Sequence, residues 1–177
     1  MSTTRWIAAT TWLFCAVAAT GCQSPDARDA APPACTADDM KDAPLLVLPD
    51  THAPQNLPTD KSAPYQYAVA LPVHRDLLQA GRWNPLAGGW SALTLRVTSQ
   101  NASSLSARFN PLSLPAGAQL WLCAADGRTR QGPYGDSGGE LLTAVVSGND
   151  ALIEVLVPIA AQPAVRINLS EMHAGFR

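Results

Sequence analysis

Short runs of alternating apolar and polar residues follow one another through the C-terminal part of this chain, with turn residues between them. In Ser91–Ser99, the side chains of Leu93, Leu95 and Val97 fall on one face of an extended strand, and mainly polar side chains fall on the other. Comparable segments are Leu105–Phe109, Gln119–Cys123, Leu141–Val146, Leu152–Val157 and Val165–Leu169. About six to eight such strands in roughly 110 residues predict an all-β fold, an antiparallel β-sandwich of the jelly-roll or immunoglobulin-like kind.

Segments before these strands extend the prediction toward the N-terminus. Leu45–Leu48 is an apolar run between prolines that suits a first strand or a strap, and Tyr65–Leu71 has the composition of a strand. Arg75–Gly81 suits one helical turn that ends at a glycine. We therefore assign residues 45–177 to a single β-sandwich domain.

The charge balance bears on the class of partner. Lys and Arg number 12 against 14 Asp and Glu, so the formal net charge is -2. A nucleic-acid-binding protein would carry a basic patch or stripe, which this balance argues against. Hydrophobic residues make up 47% of the chain and charged residues 15%, a composition that can bury a core. No nucleic-acid partner is expected.

Residues 1–21 read as an export signal. Arg5 supplies the positively charged N-terminal region of such a signal, and small residues follow the apolar stretch Trp6–Ala18. This stretch is shorter than the roughly 20 residues that a membrane-spanning helix needs. The segment is therefore excluded from the predicted fold.

The end of this signal, Ala19-Thr20-Gly21-Cys22, resembles the bacterial lipobox, in which a cysteine receives a diacylglycerol group. The resemblance implies lipid attachment at Cys22 and a membrane partner through that lipid. An Asp after the cysteine commonly retains such lipoproteins at the inner membrane, so Gln23 implies an envelope protein of the outer membrane. The alternative is ordinary secretion, with cleavage after Ala18 or Ala19.

Residues 22–44 have the composition of a disordered tether, rich in Ala, Pro and Asp with scarcely any large apolar side chain. Of the four cysteines, Cys15 leaves with the signal and Cys22 takes the lipid. Cys35 and Cys123 remain as one candidate disulfide in an oxidising compartment. The alternative is two free thiols, because no spacing rule selects the bond.

A short motif, Gly135-Asp136-Ser137-Gly138-Gly139, matches the nucleophile motif of trypsin-like serine proteases. In that chemistry a histidine oriented by a carboxylate must accept the serine proton. His52 and His74 precede the motif, but neither stands in the sequence context of the catalytic histidine. Five residues drawn from Gly, Asp and Ser also suit a hairpin loop. We interpret Ser137 as part of a structural turn and predict no catalytic residue.

The strand and turn order from Trp90 onward resembles the non-catalytic N-terminal region that precedes the protease domain in secreted bacterial trypsin-like endopeptidases of the lysyl endopeptidase type. The resemblance rests on Leu114–Leu122, Asp126-Gly127, Gly132-Pro133-Tyr134, Ala144–Asp150, Ile153–Pro158 and His173–Arg177. In those proteases a catalytic domain continues after the closing segment, whereas this chain stops at Arg177. The resemblance implies a free-standing, membrane-tethered relative of a protease accessory region, with a serine protease as its protein partner.

Metal and cofactor motifs are not predicted. The sequence has no CxxC pair, and His52, His74 and His173 are scattered, which argues against zinc. Acidic side chains could gather around calcium at one end of a sandwich, but they lack EF-hand-like spacing. These residues are Asp126, Asp136, Glu140, Asp150 and Glu154. We expect neither a metal nor a cofactor.

Three functions compete on these observations. The first is a non-enzymatic envelope lipoprotein that binds a protein and assists or inhibits a protease. The second is a carbohydrate- or surface-binding module that uses exposed aromatic side chains, for which Trp83, Trp90, Phe109 and Trp121 are candidates if they are not core residues. The third is a serine hydrolase centred on Ser137. The resemblance favours the first.

Overall fold

Two β-sheets pack face to face around one apolar core in the computed structural model, which describes residues 30–50, 52 and 66–176. The predicted all-β sandwich is confirmed. The export signal, Cys22 and Gln23 lie outside the described residues.

Eleven strands occur in the described ranges. They are β1 (Leu45–Leu48), β2 (Ala68–Asp76), β3 (Arg82–Pro85), β4 (Trp90–Ser99), β5 (Ser104–Ser113), β6 (Gln119–Ala124), β7 (Arg130–Tyr134), β8 (Gly139–Leu142), β9 (Val146–Ser147), β10 (Asp150–Pro158) and β11 (Arg166–Gly175). Two α-helices, α1 (Ala37–Asp42) and α2 (Leu77–Ala80), accompany them, with 3-10 turns at Ala87–Gly89 and Ile159–Ala164.

The strands form two sheets. Sheet A has the order β1-β4-β10-β6-β7, with β3 also paired to β4. Sheet B has the order β2-β11-β5-β8, with β9 also paired to β5. Every pairing is antiparallel except β1 with β4. The long connection from β1 through β2 and β3 gives the chain the crossover that a parallel pair requires.

The main core lies between the sheets, where alternate residues of each strand point inward. Leu93, Leu95 and Val97 of β4 are fully buried there, on the face that their alternation predicts. Phe109 of β5 enters the same core from sheet B. Burial of these large apolar side chains stabilises the sandwich by about 1.5–3 kcal/mol each.

The outer face of sheet A is covered by the N-terminal arm, residues 30–44. Ala34 of the arm is buried in a small apolar cluster with Ala92 and Leu156, and Trp121 packs against this cluster. Helix α1 in the arm begins with a capping box between Thr36 and Asp39. This part of the chain differs from the disordered tether that its composition predicts, because a covalent bond and capping contacts replace the large apolar side chains it lacks.

The segment Leu141–Val146 is not one strand, as its pattern predicts, but two. Residues 139–142 form β8 and residues 146–147 form β9, while residues 143–145 belong to neither strand. The hydroxyl of Thr143 accepts a bond from the backbone N–H of Ala107, which makes this irregular stretch possible without leaving that N–H unpaired.

Candidate functional site

A pocket of about 130 Å³ lies on the outer face of sheet B, beside the irregular stretch between β8 and β9. We call it the sheet B pocket. Its lining combines hydroxyl groups and one imidazole with apolar side chains. The residues are Tyr67, Ala68, Ser104, Ser106, Leu142, Thr143, Val145, His173 and Gly175.

The polar floor comes from two adjacent central strands of sheet B. Ser106 on β5 and His173 on β11 are direct cross-strand partners, and both point away from the core. Such partners have Cβ atoms roughly 5 Å apart, so their polar groups reach the same small space. No hydrogen bond joins Ser106 to His173 among the described residues. The floor therefore offers donors and acceptors to a ligand and holds no serine already bonded to a base.

An ion-pair chain beside the pocket fixes the imidazole. His173 Nε2 lies 3.3 Å from a carboxylate oxygen of Glu171, and Glu171 lies 3.4 Å from Nε of Arg108. Arg108 also contacts Glu140 at 2.8 Å. These contacts link β11, β5 and β8 on the outer face of sheet B and orient the ring of His173 toward Glu171.

One wall of the pocket is the irregular stretch itself, which several hydrogen bonds hold in place. Thr143 exchanges bonds with Ala107, and the backbone N–H of Ala144 donates to the hydroxyl of Tyr134 at 2.9 Å. The side chain of Gln131 donates to the carbonyl of Val145, also at 2.9 Å. Because three successive residues of the wall are already fixed, less conformational entropy is lost when a ligand binds.

The rim of the pocket is apolar and exposed. Tyr67 is 60% exposed, Leu142 49% and Val145 46%. Only six large apolar side chains are this exposed in the described ranges, and three of them surround this one pocket. A grouped apolar rim around a polar floor is typical of a binding site.

Ser137 lies elsewhere, in an exposed turn between β7 and β8. Its neighbour Asp136 accepts a hydrogen bond from the backbone N–H of Leu114, at the end of β5 opposite to the pocket. Gly139 pairs with Leu112, whereas His173 pairs with Ser106, so Ser137 and His173 are about 20 Å apart along β5.

Two histidines, His52 and His74, precede this serine in the sequence. His74 is on β2, and two strands separate β2 from β8, a distance of roughly 14 Å. His52 is exposed. Within the described ranges, Ser137 has no hydrogen bond to a histidine. The turn thus lacks the base that the protease motif requires.

The acidic residues considered for calcium are engaged separately. Asp150 forms a bidentate pair with Arg96, Asp126 caps its own turn by accepting from the N–H of Arg128, and Glu140 pairs with Arg108. No group of three or more His, Cys, Asp or Glu side chains capable of holding a metal ion occurs in the described part of the chain.

The aromatic side chains considered for ligand stacking all belong to or pack against apolar clusters. Trp90 is 7% exposed and belongs to the cluster under the N-terminal arm, where Trp121 also packs. Trp83 packs against the main core, and Phe109 is fully buried in it. The exposed aromatic ring at the pocket is Tyr67 instead.

A disulfide and a buried glutamate lie together on the outer face of sheet A, beneath the N-terminal arm. Cys35 and Cys123 form a disulfide, with their Cα atoms 6.3 Å apart. The backbone N–H of Cys35 donates a short hydrogen bond to Oε2 of Glu154, and Oε1 of this fully buried carboxyl has no partner within the described ranges. Burial raises the pKa of Glu154 to about 7, the Cys35 N–H partly opposes this rise, and the negative charge of Asp39 adds to it.

No protein-family model matches the chain, and no solved structure matches it significantly. Of the helices that the structure describes, none is long and apolar enough to cross a bilayer.

The sheet B pocket was not predicted from the sequence. Its residues come from four separate segments, and the irregular stretch at 143–145 reads as continuous strand. Glu154 gave a clearer signal, because it is the one charged residue within the apolar run of β10, Ala151–Val157. Its acidic side chain alone suggested no more than a possible calcium ligand.

Proposed function

We propose that this chain is a membrane-tethered, non-catalytic module of a bacterial cell envelope that binds a protein through the sheet B pocket. The observation that carries the proposal is the grouping of three exposed apolar side chains around a polar floor with a preorganised wall. Tyr67 supplies the kind of aromatic anchor that is enriched at binding hot spots. The aliphatic rim residues Leu142 and Val145 favour a peptide side chain over a sugar ring, which stacks best on aromatic faces.

The position of the N-terminal arm supports a tethered arrangement. The arm packs on the outer face of sheet A, and Cys35 is bonded there to Cys123. The pocket is on the outer face of sheet B. A lipid at Cys22 would therefore be connected to the sandwich through the layer opposite to the pocket.

The proposed partner class is a trypsin-like serine protease, on which the domain would act as an accessory protein or an inhibitor. Support for this class is the resemblance of the strand and turn order from Trp90 onward to the non-catalytic region of lysyl endopeptidase-type proteases. The exposed, irregular edge of sheet B gives such a partner a rigid surface of mixed polarity.

The binding proposal can be tested by comparing two triple variants of the full chain. One carries Tyr67→Ser, Leu142→Ser and Val145→Ser. The matched control removes the other three exposed apolar side chains, through Leu45→Ser, Val47→Ser and Ile159→Ser. Immobilised wild type and control should retain the same protein from envelope and culture-fluid extract, and the pocket variant should lose it. Retention by all three proteins would contradict the assignment of the pocket.

A retained serine protease would then be assayed directly. We expect its amidolytic activity or its refolding yield to change with added wild type and to remain unchanged with the pocket variant.

Lipid attachment is tested separately by partition between a detergent phase and an aqueous phase. The Cys22→Ser variant should move from the detergent phase to the aqueous phase. An unchanged partition would contradict the lipid anchor.

A carbohydrate ligand is the second candidate, favoured by the exposed ring of Tyr67 beside the hydroxyls of Ser104 and Ser106. Sugar-binding sites combine an aromatic platform with such polar groups. Retention on cell-wall polysaccharide that Tyr67→Ala abolishes, and that Leu142→Ser leaves unchanged, would favour this function over protein binding.

A further inference from the structure

Glu154 has no part in the proposed function, yet its surroundings are unusual. It is a carboxyl group with no exposed surface, on the outer face of a sheet. Its shield is the N-terminal arm, whose Cys35 N–H binds one of its oxygens. The other oxygen has no hydrogen-bond partner in the described part of the chain. Removing the arm would return this carboxyl to water.

The arm itself has few attachments to the sandwich. Helix α1 contributes no buried residue, and Ala34 is the arm's only buried apolar side chain among the described residues. Ala31 and Cys35 are partly buried against the same cluster as Ala34. Hydrogen bonds also reach backbone carbonyls of the arm, from Arg130 to Ala34, from Arg82 to Asp42 and from the Arg96 N–H to Pro44. The disulfide is the strongest link, and it joins the residue that covers Glu154.

We propose that the N-terminal arm is a redox-locked cover over Glu154, and that reduction of the Cys35–Cys123 disulfide makes its opening dependent on pH. A thiol reductant supplies the electrons: the S–S bond breaks, each cysteine sulfur takes one proton, and two reductant thiols are oxidised to a disulfide. The sandwich remains folded, because its core lies between the sheets and does not include the arm.

The pH dependence follows from the difference between the covered and the uncovered carboxyl. Covered Glu154 titrates near pH 7 because burial disfavours its charged form, whereas an exposed glutamate titrates near 4.5. Ionisation therefore favours the open arm. By linkage, the opening equilibrium constant of the reduced protein should rise roughly 40-fold from pH 5 to pH 7.

Charged groups on the surrounding elements do not neutralise Glu154. Asp39 on α1 adds a negative charge that raises its pKa further. The nearby arginines have other partners: Arg82 bonds the Asp42 carbonyl, Arg96 pairs with Asp150, and Arg130 bonds the Ala34 carbonyl. The other charged side chains of the arm are Asp38, Lys41 and Asp42. Asp38 and Lys41 form an exposed pair, at 3.8 Å.

Amide hydrogen exchange of the full chain tests this inference, with and without tris(2-carboxyethyl)phosphine. This reductant replaces the thiol: the phosphine is oxidised to its oxide with oxygen from water, the S–S bond breaks, and each cysteine sulfur takes one proton. Exchange of residues 30–44 is normalised to the intrinsic rate at each pH. In the oxidised protein we expect protection at every pH from 5 to 8. In the reduced protein, protection of the arm should fall roughly 40-fold from pH 5 to pH 7. Amides of β4 and β10 should stay protected throughout.

Two variants separate the carboxyl from other effects. Reduced Glu154→Gln should show the same arm protection at pH 5 and pH 7, while reduced Glu140→Gln, which changes an exposed glutamate, should behave as the wild type. Equal protection of the reduced wild type at both pH values would overturn the proposal. Three other results would also overturn it. They are an oxidised arm that exchanges as fast as the reduced arm, loss of protection in β4 and β10 on reduction, and a pH dependence that Glu154→Gln retains.

Discussion

Thr143 and Ala107 bond each other in both directions across the edge of sheet B. The backbone N–H of Thr143 donates to the carbonyl of Ala107 at 2.9 Å, and the hydroxyl of Thr143 accepts from the N–H of Ala107 at 3.0 Å. A side-chain oxygen thus takes the place of a backbone carbonyl in the ladder. This replacement frees residues 144 and 145 from β5 and creates the wall of the sheet B pocket.

Thr143→Val should destabilise the protein by about 1–3 kcal/mol. Valine has nearly the same shape as threonine but cannot accept the bond, so the buried N–H of Ala107 is left unpaired. The control is Thr98→Val, which removes an exposed hydroxyl that bonds the Asn149 carbonyl at 3.0 Å and whose place water can take. Chemical denaturation gives both free energies of unfolding. Equal losses in the two variants would contradict the structural role of Thr143.

Glu154→Gln should remove part of the pH dependence of stability in the oxidised protein. The folded-state pKa of Glu154 lies above its ordinary value, at about 7, so the native protein binds a proton that the unfolded chain has already lost. The wild type therefore loses stability as pH rises from about 4.5 to 7, by up to about 3 kcal/mol, and the loss is complete above that range. The variant should lack this loss.

Denaturation curves of the two proteins at pH 4, 6 and 8 measure this difference. Glu140→Gln serves as the control, because Glu140 is exposed and paired with Arg108 on the surface. If the wild type and Glu154→Gln keep the same difference in unfolding free energy at all three pH values, Glu154 has an ordinary pKa.

Sequence patterns were sufficient for the fold class and for most central strands, and insufficient for some edge strands and for the surface features. The alternation of β4 specifies its inward face, because burial of Leu93, Leu95 and Val97 repeats with the period of a strand. Strands β3 and β7 were not predicted, since Arg82–Pro85 and Arg130–Tyr134 contain prolines and charged residues and lack alternation. Edge strands pair on one side only, so their sequences carry a weaker signal.

The sheet B pocket and the position of the N-terminal arm could not be predicted from the sequence, for different reasons. Pairing of Ser106 with His173 depends on which strands become neighbours in sheet B, and local sequence does not carry that information. The position of the N-terminal arm depends on one disulfide between residues 88 positions apart, which the cysteine count suggested without selecting it over two free thiols.

Gly132→Ala should destabilise the protein by roughly 2–3 kcal/mol. Gly132 has φ +135, and an added Cβ would lie 2.7 Å from the carbonyl oxygen of Leu120 and 2.9 Å from the ring of Trp121. Leu120 and Trp121 are both held in sheet A, so neither can move away from the added Cβ without a large cost in free energy. Gly135→Ala is a matched control three residues away, where an added Cβ meets open space and φ is not in the left-handed region. Thermal denaturation should show little change for the control, and an equal shift in both variants would contradict the close approach at Gly132.

Ser137→Ala should leave both stability and reactivity unchanged. The serine is exposed, and the distances along and across sheet B keep it away from His173 and His74. Asp136→Ala, by contrast, should cost about 1 kcal/mol, because the carboxylate of Asp136 accepts the N–H of Leu114 at 3.3 Å. A fluorophosphonate probe should label neither the wild type nor the variants. Labelling of the wild type that Ser137→Ala abolishes would instead mean that the turn holds an activated serine, and the protein would have to be reconsidered as a hydrolase.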